Sequence, residues 1–162
     1  MTDERADALV LFGITGDLAA KKLFTPMYNL ADRGLLPPVV VGVAASDWTV
    51  ATLRDHVRRS LVEAGVEVDD AIFAKLAGTL RYVSGDYREP ATFDRLRDAV
   101  GEAAAPTCYL ATPPSLFVDV ITGVVSAGLN RSGRIMLEKP FGRDLASAQE
   151  LNRILQSHYP EE

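Results

Sequence analysis

Apolar and polar positions along the chain fall into two alternating kinds of segment. Short, nearly uninterrupted apolar runs occur at Ala8–Phe12 (ALVLF), Val39–Val43 (VVVGV), Leu80–Ser84 (LRYVS), Thr107–Ala111 (TCYLA) and Arg134–Glu138 (RIMLE). Runs of this length and composition read as strands covered on both faces. Between them the apolar residues recur every three or four positions: Leu53, Val57 and Leu61 within 49–63, and Phe93, Leu96 and Val100 within 91–102. That spacing puts one apolar stripe on a helix. Strands alternating with helices predict an α/β fold, a doubly wound parallel sheet with helices on both faces.

Further helices are expected from about Leu18 to Arg33, over Asp69–Ala77, from Pro114 through Phe117 and Val120, and over Leu145–Leu155. Pro114 suits a helix's first turn. Gly34, Gly65 and Gly128 fall where helices should end in left-handed caps. No internal repeat or interdomain linker interrupts the pattern, so residues 1–162 are read as one domain. A chain of 162 residues buries roughly two-thirds of its unfolded surface without disulfides or metals.

Charge and composition then narrow the possible partners. A formal net charge of -5 leaves no basic surface for counterion release, so nucleic acid is not expected as a partner. No apolar run reaches the ~18 residues that a membrane span needs, and the acidic start MTDERADALVLFG does not resemble a signal peptide. A cytoplasmic setting follows. The lone cysteine, Cys108, sits in an apolar run and reads as a small buried side chain of a reducing compartment.

The densest chemical signal is Gly13-Ile14-Thr15-Gly16-Asp17-Leu18-Ala19, directly after the first strand and opening the next helix. Glycines there let the backbone turn sharply and approach a pyrophosphate, whose charge meets free N–H groups and the positive helix end. The spacing is G-x-x-G-x-x-A, so its context in a βαβ unit gives it more weight than the pattern itself. A turn that only fixes geometry is the alternative, and the Asp17 carboxylate could simply cap the helix. A second signal, Glu138-Lys139-Pro140-Phe141-Gly142-Arg143-Asp144, follows the fifth strand, where ligands of open α/β sheets bind. Lys139 there could hold a phosphate or a substrate hydroxyl, or be a solvated lysine paired with Glu138. A third, Tyr109-Leu110-Ala111-Thr112-Pro113-Pro114, ends a strand at the same edge in a stiff turn. Asp86 and Tyr87 end the third strand likewise, and Lys21 and Lys22 lie one turn into the first helix.

Taken together, LVLFGITGDLAAKKLFTPMYNL, YLATPPSLF and RIMLEKPFGRDLASAQELN resemble the N-terminal Rossmann-like domain of the glucose-6-phosphate dehydrogenase family, in the right order along essentially the whole chain. The resemblance implies oxidation of glucose 6-phosphate at C1 to the lactone with NADP or NAD, at the gate of the oxidative pentose phosphate route. It implies that Gly13, Ile14, Thr15, Gly16, Asp17, Leu18 and Ala19 cradle the pyrophosphate, with Thr15 near the adenosine ribose and Asp86 and Tyr87 flanking the cofactor. Lys139 would touch both the nicotinamide side and the sugar phosphate, and Lys22 would stand near the reacting centre. The family continues into an Arg-Ile-Asp-His-Tyr-Leu-Gly-Lys-Glu segment carrying the general base. His158 is not that histidine, so the chain alone is expected to be inactive.

Where the family commonly has arginine after the second strand, this chain has Ala45, followed by Ser46 and Asp47. NADP binding is therefore expected to be weakened rather than excluded, with the two cofactors within roughly tenfold of each other. Asp47 could bind a ribose or cap the helix that begins at Thr49. The face that the family covers with a further domain predicts self-association, hence a homo-oligomer. Two alternatives stand beside this reading: a stand-alone nucleotide-binding or regulatory module, and a sugar oxidoreductase related to glucose-fructose oxidoreductase.

Overall fold

A computed structural model describes residues 5–159. Five parallel strands form one sheet in the order β3-β2-β1-β4-β5. They are β1 (Ala8–Phe12), β2 (Val39–Ala44), β3 (Leu80–Ser84), β4 (Pro106–Leu110) and β5 (Arg134–Leu137). Seven α-helices connect them: α1 (Asp17–Lys22), α2 (Phe24–Asp32), α3 (Val50–Glu63), α4 (Asp70–Thr79), α5 (Pro90–Val100), α6 (Phe117–Ser126) and α7 (Leu145–His158). The doubly wound expectation holds, and each of the five predicted strands is found to within a residue or so at its ends.

β1 lies at the centre of this order. Its residues pair with β2 on one side (Phe12 opposite Val43) and with β4 on the other (Phe12 opposite Leu110). The chain winds outward through β2 and β3, then crosses over to β4 and β5, so the carboxyl end of β1 is the topological switch point where open α/β sheets bind ligands.

Alternation along the strands divides the core in two. Val10 and Phe12 of β1 join Phe93, Leu96, Phe117, Val120 and Ile121 on the face covered by α5, α6 and α7. Leu11 and Ile14 join Phe24, Leu53, Val57, Leu61 and Leu76 on the face covered by α1 to α4. Each such side chain, fully withdrawn from water, stabilises the fold by about 1.5–3 kcal/mol. Continuous burial holds for β1, β2 and β4, but β3 and β5 are the sheet's two edges, and β5 alternates between exposed and half-buried positions. Its Met136 is 49% exposed.

Local signals set the helix ends. Gly34, Gly65 and Gly128 all adopt positive φ, as their capping role requires. Pro114 opens a 3-10 turn (Pro114–Leu116) that leads into α6. Three expectations are corrected. The single helix from Leu18 to Arg33 is broken at Leu23, because Pro26 has no N–H to give the Lys22 carbonyl and its ring would press on that carbonyl in a continuous helix. Asp17 does not cap α1; Gly16 holds the cap position without a side-chain bond. Asp47 does not cap α3 either, since the Thr49 hydroxyl accepts from Thr52 N–H at 3.2 Å.

Candidate functional site

The turn after β1 is built on one glycine that no other residue can replace without strain. Gly13 adopts φ +83, and a Cβ there would lie 2.5 Å from the Ala111 carbonyl oxygen of the strand next door. Its N–H donates to Val43 O at 2.8 Å and to the Tyr87 hydroxyl at 2.9 Å. The same hydroxyl donates to Val43 O at 3.0 Å. Tyr87 thus ties the turn to the end of β2, its ring edge-on to Phe12 at 5.7 Å. Burial pushes the hydroxyl up to about 12, so it stays protonated. Its bonding is spent inside the protein, which makes it a strut for the turn.

Beyond Gly13 the chain turns outward. Ile14 is fully buried, and a Cβ on Gly42 would come within 2.6 Å of its side chain. Ala19 is fully buried as well. Ile14 and Ala19 therefore present backbone, not side chain, toward the cleft. Gly16 is exposed in extended backbone, and a Cβ there would meet only Gly13 O, at 3.3 Å. Asp17 is exposed at the first position of α1, Leu18 is half-buried, and Lys21 and Lys22 are exposed in its last turn. The first turn of a helix leaves N–H groups without intrahelical acceptors, and here they border open space.

Thr15 and Ser46 meet across the cleft mouth, their hydroxyl oxygens 3.0 Å apart. Ala45 and Asp47, on either side of Ser46, are exposed. Asp86 does not stand free: its carboxylate takes the Arg88 guanidinium at 3.2 Å, and that bond holds its pKa below the usual range.

Lys139 follows β5, joined to Pro140 by a cis peptide bond, and its side chain is exposed. The Glu138 carboxylate, the alternative partner for Lys139, accepts from the Tyr109 hydroxyl. Burial, with Glu138 second, pushes Tyr109 up to about 12. Strands lie about 4.8 Å apart, so Lys139 stands roughly 10 Å from the glycine turn, with Ser46 one strand beyond it on the far side. Of the sequence-predicted residues, the Gly13–Gly16 turn, Ala45, Ser46, Asp86, Tyr87 and Lys139 follow the carboxyl ends of β1, β2, β3 and β5, whereas Lys21 and Lys22 lie in the last turn of α1.

His56 packs edge-on to Trp48 at 5.0 Å and to Phe24 at 5.7 Å, and His158 ends α7, where its carbonyl accepts from Asn130. Cys108 is 1% exposed and its thiol is pushed up to about 12 by burial, which leaves no thiolate for chemistry at neutral pH. No cluster of metal-ligating side chains is present among the described residues.

The turn fits a bound dinucleotide. Space over Gly16 is open, and the buried Thr112 hydroxyl beside Gly13 has no protein partner. Sequence reasoning gave Tyr82 no role, and marked Tyr109 and Thr112 only as parts of a stiff turn at a strand end. Each is a polar tip in or just after an apolar strand run, and that is the signal that could have marked them.

The family described as "Glucose-6-phosphate dehydrogenase, NAD binding domain" matches residues 10–162. The chain belongs to that family. NAD(P) is accordingly the cofactor class of its site. Among similar proteins, "Glucose-6-phosphate 1-dehydrogenase 1" of Mycobacterium bovis is 41% identical over 152 residues, covering 94% of this chain and 32% of the relative. A crystal structure of glucose-6-phosphate 1-dehydrogenase from Mycobacterium avium superposes with a TM-score of 0.90 at 41% identity, over 95% of this chain and 34% of that one. A glucose-6-phosphate dehydrogenase in complex with its substrate glucose-6-phosphate superposes at 0.80 with 29% identity, over 96% of this chain and 35% of that one. The chain spans about a third of the length of these relatives. Among the described residues no helix is long and apolar enough to cross a membrane.

Proposed function

We propose that this chain is the cofactor-holding domain of a glucose-6-phosphate 1-dehydrogenase, which oxidises glucose 6-phosphate at C1 with NADP or NAD. The observation that supports the proposal is the strand order: the Gly13–Gly16 turn follows β1 at the switch point, and Lys139 follows β5, two strands away on the same edge of the sheet. In this reading the backbone from Gly13 to Ala19, including the N–H groups of Asp17 and Leu18, cradles the pyrophosphate. Ile14 and Ala19 anchor that backbone from beneath. Thr15, Ala45 and Ser46 line the adenosine ribose, and Asp86 and Tyr87 flank the cofactor, Tyr87 through the turn that it braces.

Bound nicotinamide supplies the hydride acceptor. Lys139 supplies a compact cation that reaches the nicotinamide side and the sugar phosphate together. The Tyr109 hydroxyl holds the Glu138 carboxylate in place beside that cation, and Lys22 adds a second positive charge toward the substrate. In this reading the proton of the C1 hydroxyl leaves to a general base other than the two histidines, since His56 packs on Trp48 after β2 rather than beside Lys139 after β5, and His158 ends α7.

Calorimetric titration of the chain with NAD and NADP tests the cofactor half: saturable binding is expected, and none at millimolar cofactor refutes it. In an enzyme carrying this domain, Lys139→Met should lower kcat/KM for glucose 6-phosphate by roughly 10²-fold, the usual scale for losing one well-placed charge. Full activity in that variant removes Lys139 from the site. We further read the protein as a cytoplasmic enzyme of the oxidative pentose phosphate route. The names of two Arabidopsis relatives, both called cytoplasmic, support the compartment, and recovery in a membrane fraction would overturn it.

A further inference from the structure

The end of the crevice beside β2 is fixed by bonds between separate loops. Thr15 and Ser46 come from separate loops, yet their hydroxyls form one half-buried pair at 3.0 Å. The Ser46 carbonyl accepts from the Tyr82 hydroxyl at 2.5 Å and from Trp48 N–H at 2.9 Å. Tyr82 also reaches Ala44 O at 3.4 Å. Three contacts therefore fix Ser46 before any ligand arrives.

The charge around this pair is negative. Asp47 is exposed beside Ser46 and is the second cause, after burial, that keeps the Tyr82 hydroxyl protonated. Cations on neighbouring elements are engaged elsewhere: Arg88 with Asp86, Arg54 with the Ala77 carbonyl, and Arg58 with Asp70. Ala45 exposes only a methyl group, and Lys21 and Lys22 belong to the last turn of α1 rather than the end at the glycine turn.

In doubly wound folds an acid at the end of the second strand suits a ribose diol, and a cation there suits a 2′-phosphate. We infer that the Thr15–Ser46 hydroxyl pair, with Asp47 beside it, takes an unphosphorylated adenosine ribose, so that this chain binds NAD in preference to NADP. The inference rests on the nucleotide-binding reading above and narrows it. A diol both donates and accepts, so it can exchange bonds with two hydroxyls without leaving either unpaired. A 2′-phosphate brings close to two negative charges to a rim whose own side chains are the Ala45 methyl group, the Thr15 and Ser46 hydroxyls and the Asp47 carboxylate. Ala45 alone, read from the sequence, put the two cofactors within roughly tenfold; the fixed hydroxyl pair and Asp47 widen the gap.

The chain's single tryptophan, Trp48, reports from this spot. Calorimetry and Trp48 fluorescence, run with NAD, NADP, ADP-ribose and its 2′-phosphorylated counterpart, give four affinities. Each unphosphorylated ligand should bind more than about tenfold tighter than its phosphorylated partner. Ala45→Arg should strengthen the phosphorylated pair relative to the unphosphorylated pair by about tenfold or more and lose that gain at high salt. A parent chain that binds NADP within about tenfold of NAD, or more tightly, overturns the inference and leaves the nucleotide site standing. Failure of all four ligands to bind overturns the nucleotide reading itself.

Discussion

Replacing Gly13 by alanine attacks the fold, whereas replacing Gly16 by valine attacks only the ligand. At Gly13 the new methyl group meets two penalties. The backbone sits at φ +83, where a side chain costs about 1–2 kcal/mol. The Cβ would also lie 2.5 Å from Ala111 O and 3.2 Å from the Thr112 methyl, and overpacking of that kind costs about 1–3 kcal/mol. Together these make about 2–5 kcal/mol. In a domain of this size each kcal/mol moves the melting temperature by about 2–4 °C, so Gly13→Ala should melt roughly 4–20 °C lower. At Gly16 the backbone is extended, which any residue adopts, and only one atom comes within 4 Å of a Cβ. Its cost is the weaker helix cap and a tight 3.3 Å approach to the Gly13 carbonyl, together about 1–2 kcal/mol, or under about 8 °C. Yet the valine side chain fills the open space where the pyrophosphate should lie, so binding should vanish. Thermal unfolding by circular dichroism and calorimetric titration on the two variants separate the effects. If Gly13→Ala melts like the parent, the turn is not shaped as described. If Gly16→Val binds cofactor with parental affinity, the turn is not the site.

Tyr87→Phe removes two bonds that brace the turn but leaves Gly13 N–H bonded to Val43 O; at about 0.5–1.5 kcal/mol per bond it should lower stability by about 1–3 kcal/mol in urea unfolding and weaken ADP-ribose more than adenosine, and equal weakening of both would count against a strut. His56 has its pKa lowered by burial and then by Arg59, so the unfolded chain takes a proton near pH 6.5 before the folded protein does, and stability present at neutral pH should be lost as pH falls below 6.5. Melting curves of parent and His56→Phe between about pH 7.5 and 5.5 check this, and equal slopes would refute it. Exposed Met136 on the edge strand β5, with exposed Phe141 and Leu145 beyond it, should make the chain associate with itself, and light scattering that reports a monomer at high concentration would remove that expectation.

The fold was legible because its strands repeat a simple physical condition. β1, β2 and β4 are covered on both faces, so their apolar runs stand out without any partner being known. β5 was legible as a strand but not as an edge, since Arg134 and Met136 look the same in sequence whether or not another strand follows. The first helix misled for a different reason: the apolar spacing of Leu23, Phe24, Met27 and Ala31 continues across the break, and only the backbone chemistry of Pro26 interrupts it.

The site was legible at the turn and illegible in what holds the turn. Gly13 and Gly16 are visible because glycine changes what a backbone can do locally, and Lys139 is visible because a strand end places it. The bonds that fix these groups join residues far apart in the chain: Tyr87 reaches back 74 positions to Gly13, Tyr82 reaches 36 to Ser46, and Tyr109 reaches 29 to Glu138. Such pairings follow from strand order, not from local spacing. All three are tyrosines on or just after strands, and the reason is physical. A tyrosine ring fills core space beside its strand while its hydroxyl extends to the carboxyl edge, where loop carbonyls and N–H groups need partners once water is excluded. An apolar strand run that contains or is closely followed by a tyrosine therefore carries information that periodicity ignores: it marks the end of the sheet at which polar backbone has to be held in a fixed arrangement, and in this chain that end is the one facing the cofactor crevice.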